Sequence, residues 1–97
     1  MANDYAREKL FGAVDALVGS SSIQLRLTYA AGDLIKLRAT NAVPAQLKER
    51  FESVMSTLTE KPLSNDRGYV PRLVTDEVGA KLAREIVSLY TDVMGGL

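Results

Sequence analysis

The stretch from Thr75 to Met94 constrains the fold more than any other part of this sequence. On a helical wheel its apolar side chains fall within about half of the circumference, and polar side chains fill the rest. The apolar residues are Val78, Leu82, Ala83, Ile86, Val87, Leu89, Tyr90, Val93 and Met94. A helix that packs on one neighbour needs an apolar stripe only a little over about 100° wide. We therefore predict a helix, with Thr75 as its N-cap, that contacts more than one other element.

Two further stretches have the periodicity of amphipathic helices. The first runs from about Asp4 to Val18, with Asn3 as a candidate N-cap. Its apolar stripe consists of Ala6, Leu10, Phe11, Ala13, Val14, Leu17 and Val18. The other stretch runs from Pro44 to about Thr59, with the proline at the first helical position, where its missing N–H costs nothing. Residues 60–74 contain two prolines, an Asn-Asp pair and a glycine, which predict a long irregular loop.

The segment from Ile23 to Arg38 fits two different structures. As a helix, it places its apolar residues on one face, and Ser21 with Gln24 forms a capping box at its start. As a β-hairpin, residues 23–29 alternate apolar and polar side chains before a turn around Gly32. The helix is favoured because its apolar stripe continues across Gly32, where a hairpin turn should interrupt it. We predict a helix here and keep the hairpin as the alternative.

These segments together predict the fold class. We expect a compact all-α protein, an up-down bundle of four helices with a long loop before the last helix. The alternative is an α+β fold in which a hairpin at 23–38 packs on three helices. Residues 1–97 should form a single helical domain, because 97 residues are too few for two independent cores.

The composition argues against catalysis. The chain contains no cysteine and no histidine, which removes thiolate chemistry, the commonest general base and the commonest metal ligand. The spacing of the carboxylates forces no two of them into one buried site, and the glycines form no phosphate-binding pattern. We therefore expect a protein that is not an enzyme, with no catalytic residues, no metal ion and no cofactor.

Charge and hydropathy narrow the range of partners. Twelve basic and twelve acidic side chains cancel, whereas proteins that bind nucleic acids or anionic membranes usually carry a positive excess. The N-terminal residues do not form a secretory signal, and no apolar run reaches the length of about 20 residues that spans a bilayer. We expect a cytoplasmic protein with no membrane partner. The alternative function is nucleic-acid binding by Arg67, Tyr69 and Arg72, with the tyrosine stacked on a base and the arginines on phosphates.

Protein–protein interaction is the favoured function, for two reasons. Val87, Tyr90 and Met94 widen the apolar arc of the last helix at one edge, and Leu25 and Tyr29 lie on the back of the second helix. Large apolar groups outside a core commonly mark an association surface. The opposing interpretation is that the chain itself covers the last helix on both sides, while the long loop covers Tyr29. We expect an adaptor, inhibitor or immunity-type protein that binds a protein partner, with a homodimer as one form of that binding.

Overall fold

In a computed structural model of the chain, four helices pack together around one apolar core. The helices are α1 (Asp4–Leu17), α2 (Ile23–Ala39), α3 (Lys48–Leu58) and α4 (Asp76–Met94). A short ribbon of two strands, β1 (Thr59–Pro62) and β2 (Tyr69–Pro71), precedes α4. The structure describes residues 3–62 and 69–95, with the backbone alone at 60–62 and 69–71. The all-α class is confirmed, and the hairpin alternative for 23–38 is wrong because this segment is α2.

The contacts between α1 and α2 show that these two helices are antiparallel. In the first half of α1, the Lys9 ammonium lies 4.0 Å from the carboxylate of Asp33, which lies in the second half of α2. At the other end, the Arg26 guanidinium donates a hydrogen bond of 2.8 Å to the carbonyl of Leu17, the last residue of α1. The short connection between the two helices therefore reverses the chain, as an up-down bundle requires.

Helix α4 contacts each of the other three helices. Its buried residues are Gly79, Leu82, Ile86, Leu89 and Val93. They recur at spacings of three and four residues, so they form one stripe along the side of α4 that faces the core. The prediction that this helix contacts more than one element is confirmed.

The start of α2 differs from the prediction. The N-cap is Ser22, whose Oγ accepts a hydrogen bond of 3.2 Å from the N–H of Leu25. The Gln24 side chain instead donates a hydrogen bond of 2.8 Å to the carboxylate of Asp76, the first residue of α4. The predicted capping box of Ser21 and Gln24 is therefore wrong, because Gln24 ties α2 to α4 rather than closing its own helix.

The other helix starts follow the predictions in part. Asn3 is the N-cap of α1, but its side chain makes no capping hydrogen bond. Pro44 is not the first residue of a helix: its ψ of 143° is extended, and a 3₁₀ turn (Ala45–Leu47) separates it from α3. Thr75 caps α4 as predicted, since its Oγ1 accepts the N–H of Val78 at 3.2 Å.

The β1–β2 ribbon replaces part of the predicted irregular loop. The strands pair antiparallel, with Thr59 opposite Pro71 and Pro62 opposite Tyr69, and the register shifts between the two pairs. Both prolines lie at strand ends, and a ribbon of two strands leaves each strand one free edge, where a missing N–H breaks no ladder hydrogen bond. The predicted long connection before α4 is confirmed, although both prolines lie in short strands within it.

Gly32 gives a test of the packing of α2. It lies on the outer surface of the helix, and a Cβ atom at this position would meet nothing within 4 Å. Alanine is about 1 kcal/mol more favourable than glycine inside a helix. We therefore expect Gly32→Ala to raise the free energy of unfolding by up to about 1 kcal/mol in urea denaturation.

Gly79→Ala is the contrasting variant. A Cβ atom at this position would lie 2.9 Å from Cγ1 of Ile23, whose β-branched side chain has little freedom to move. We expect this variant to lower the free energy of unfolding by about 1 kcal/mol or more, because overpacking outweighs the gain in helix propensity. An equal gain in stability from both substitutions would contradict the close packing of α2 on α4.

Candidate functional site

A row of apolar side chains crosses the outside of α1 and α4. Phe11 of α1 and Val18, the C-cap of α1, are 55% and 75% exposed, and Val87 and Met94 of α4 are 43% and 52% exposed. Tyr90 is half-buried, and its ring centre lies 6.1 Å from that of Phe11, with 50° between the two ring planes. These five residues form a surface that we call the α1/α4 face.

The spacing of these residues explains why they line up. Phe11 and Val18 are two helical turns apart, and Val87, Tyr90 and Met94 follow one another at intervals of three and four residues. Each set therefore forms one stripe on its own helix, and the two helices lie side by side. Val18 and Val87 line one open groove of about 490 Å³, together with Leu17, Ala83, Arg84 and Ser88.

The two edges of the α1/α4 face carry opposite charges. On α1, the exposed side chains of Glu8 and Asp15 lie three residues before and four residues after Phe11, on the same side of the helix. On α4, the exposed Arg84 precedes Val87 by three residues. The apolar side chains therefore lie between the carboxylates of Glu8 and Asp15 on α1 and the guanidinium of Arg84 on α4. Arg7, four residues before Phe11, is half-buried and its guanidinium lies 3.3 Å from the carboxylate of Asp4.

Leu25 and Tyr29, the other predicted apolar pair, lie on a separate surface. They are 41% and 59% exposed. Because α2 contacts α4 through the side that carries Ile23 and Leu27, its outer side points away from α4. The structure therefore does not bring this pair together with the exposed residues of α4. Tyr29 is not covered by the residues that the structure describes, and the predicted cover by the long loop falls partly on residues 63–68, outside them.

The predicted basic cluster is described only in part. Arg67 lies outside the described residues, and only the backbone of Tyr69 is described, in β2. Arg72 is exposed, and its backbone N–H donates a hydrogen bond of 2.7 Å to the carbonyl of Leu58. A nucleic-acid site at these three residues therefore stays a prediction.

A groove of about 440 Å³ lies between α3 and α4, on the other side of α4. Its apolar lining is Val54, Val78 and Leu82, and its polar lining is Arg50, Ser53, Thr57, Lys81 and Glu85. The Arg50 guanidinium donates hydrogen bonds to Asp92 at 2.6 Å and Ser88 at 2.9 Å, so its charge is already compensated. Lys81 and Glu85 are one turn apart on α4 and carry opposite charges. This lining gives the groove little net charge with which to select a charged ligand.

Three further findings concern metal ions, membrane spans and the comparison with known proteins. Within residues 3–62 and 69–95, no group of three or more acidic side chains is placed to hold a metal ion. None of the helices in these ranges is long and apolar enough to cross a membrane. In comparisons with known proteins, no family model, no curated protein and no solved structure matches this chain.

Two of the five residues of the α1/α4 face, Phe11 and Val18, were not predicted from the sequence as part of a binding surface. They were assigned to the apolar stripe of the first helix together with Ala6, Leu10, Ala13 and Leu17, which are the four residues of α1 that are buried. The signal was available, because the apolar arc of this helix is wider than one neighbour covers, as it is in α4. A helical wheel does not show which edge of such an arc remains exposed.

Substitutions at two neighbouring positions on α4 test whether the residues of the α1/α4 face contribute to the stability of the fold. Val87 is 43% exposed and Ile86 is fully buried. We expect Val87→Gln to change the free energy of unfolding by less than about 0.5 kcal/mol, as is usual at exposed sites. We expect Ile86→Gln to lower it by about 3 kcal/mol or more, because an unpaired amide enters the core. Chemical denaturation measures both, and a large loss at Val87 would show that this valine is part of the core.

Proposed function

We propose that this chain is a non-enzymatic protein that acts by binding another protein through the α1/α4 face. The observation that supports the proposal is the row of five apolar side chains, four of which are 43–75% exposed. Burial of apolar surface contributes roughly 25 cal/mol per Å², so a partner that covers this row would gain binding free energy. Contiguous apolar surface of this kind commonly marks a protein-binding site.

The chemistry of the α1/α4 face is also that of a protein interface. Aromatic residues and methionine are enriched in interfaces, and this face contains Phe11, Tyr90 and Met94. Its exposed charged residues, Glu8, Asp15 and Arg84, lie beside the apolar row, as in interfaces with an apolar core and a polar rim. Adaptors, inhibitors and immunity-type proteins are classes of protein that act through such a surface.

The test is a capture experiment with three versions of the full chain. The wild-type chain is compared with a Phe11→Glu/Val87→Glu variant of the α1/α4 face and with a Leu25→Glu/Tyr29→Glu control on the outer side of α2. Both variants introduce two charges at exposed positions, so far-UV circular dichroism should show the same helix content in all three chains. Proteins retained from native lysate are identified by mass spectrometry.

We expect a protein that the wild-type chain and the α2 control retain and that the α1/α4 variant loses. The physical reason is that a glutamate in the centre of the face must be desolvated when a partner covers it. Equal retention by all three chains contradicts the proposal, as does loss from the α2 control alone. Failure of the wild-type chain to retain any protein, including a second copy of itself, contradicts it as well.

A further inference from the structure

We infer that the partner of the α1/α4 face is a second copy of this chain, related by a two-fold axis parallel to α1 and α4. The inference rests on the proposed protein-binding function and names its partner. In this homodimer, α1 of each protomer packs on α4 of the other. The apolar rows of the two protomers form the centre of the contact.

The charges at the two edges of the face are complementary under this symmetry. A two-fold axis parallel to the helices places the α1 side of one copy on the α4 side of the other, so Asp15 of each copy faces the side of the other copy that carries Arg84. Asp15 lies one turn before Val18, and Arg84 lines the same groove as Val18, so the two charges lie at similar heights along the helices. The dimer therefore contains two equivalent contacts between Asp15 of one copy and Arg84 of the other.

The same charges disfavour the other two-fold arrangement of this face. An axis perpendicular to the helices would pack α1 on α1 of the second copy and would bring Asp15 and Glu8 close to the same carboxylates of that copy. Like charges in such a contact oppose association. The chain as a whole carries no net charge, so two copies meet without overall repulsion.

The size of the face agrees with a stable dimer. Helix α1 has 14 residues, which corresponds to a length of about 21 Å, and two helices side by side are about 20 Å wide. A standard interface removes about 800 Å² from each partner, which is about one seventh of the 5778 Å² that this chain exposes. The flat area of these dimensions is about 420 Å², roughly half of that value, so the side chains on both edges have to contribute to the contact. A small domain also gains proportionally more from such burial than a large one.

The test reverses the charges in two separate chains and then mixes them. In a homodimer of Asp15→Arg, or of Arg84→Asp, both contacts between positions 15 and 84 join like charges. We expect each variant alone to have a dimer dissociation constant at least about tenfold higher than that of the wild-type chain, in sedimentation equilibrium at low salt. In a heterodimer of the two variants, each position 15 faces an opposite charge at position 84, so mixing should restore dimers.

Two control variants carry charge reversals outside the face. Lys81→Asp lies on the α3 side of α4, and Glu49→Arg lies on the exposed side of α3. We expect both to dimerise with the wild-type dissociation constant, within about twofold. Far-UV circular dichroism and thermal denaturation confirm that all four variants are folded before association is measured.

Restoration of dimers in the mixture supports the inference, because an effect within one chain would persist on mixing. A wild-type chain that stays monomeric at millimolar concentration overturns it, and so does a mixture as weakly associated as its components. A Phe11→Glu/Val87→Glu variant that dimerises with the dissociation constant of the wild-type chain overturns the inference as well. The wild-type chain could also stay monomeric and still capture a different protein through the α1/α4 face. That result would support the proposed protein-binding function and overturn the inference that the partner is a second copy of this chain.

Discussion

The apolar surface of α4 is wider than one helix can cover, and the rest of the structure is arranged around that constraint. Its buried stripe is covered by the other three helices, which together form the apolar core. Hydrogen bonds fix two of these helices against α4: Gln24 of α2 bonds to Asp76 at one end, and Arg50 of α3 bonds to Asp92 at the other. Burial of apolar side chains supplies most of the packing energy between these helices. The long-range hydrogen bonds add contacts that link α2 and α3 to the two ends of α4.

The two sides of α4, one next to α3 and one next to α1, differ in how much polar and apolar surface they expose. On the α3 side, Arg50 bonds to Asp92 and Ser88, and Val78 is 38% exposed in the groove between α3 and α4. On the α1 side, Val87 and Met94 remain 43% and 52% exposed. Single exposed apolar residues are common on monomeric proteins, but on the α1 side Val87 and Met94 continue into the exposed apolar residues beside α1. One helix thus supplies both the centre of the fold and half of the surface that we propose for association.

The sequence predicts the architecture well because helical periodicity is a local signal, and each of the four helices carries it over several turns. It fails where a side chain has a distant partner: Gln24 fits a capping box in the sequence, but it bonds to Asp76, which is 52 residues away. The candidate site was predicted in part for the same reason. The width of the arc in α4 pointed to Val87, but only the packing of α1 on α4 shows that Phe11 and Val18 extend the same surface.

The central claim is that the apolar excess on α1 and α4 serves association between chains. Methyl NMR spectra of the wild-type chain, recorded from micromolar to millimolar concentration, test it most directly. We expect the methyl resonances of Val18, Val87 and Met94 to shift with concentration, while those of Leu25 on the outer side of α2 stay constant. Resonances that stay constant at all four residues, or that shift only at Leu25, would contradict it.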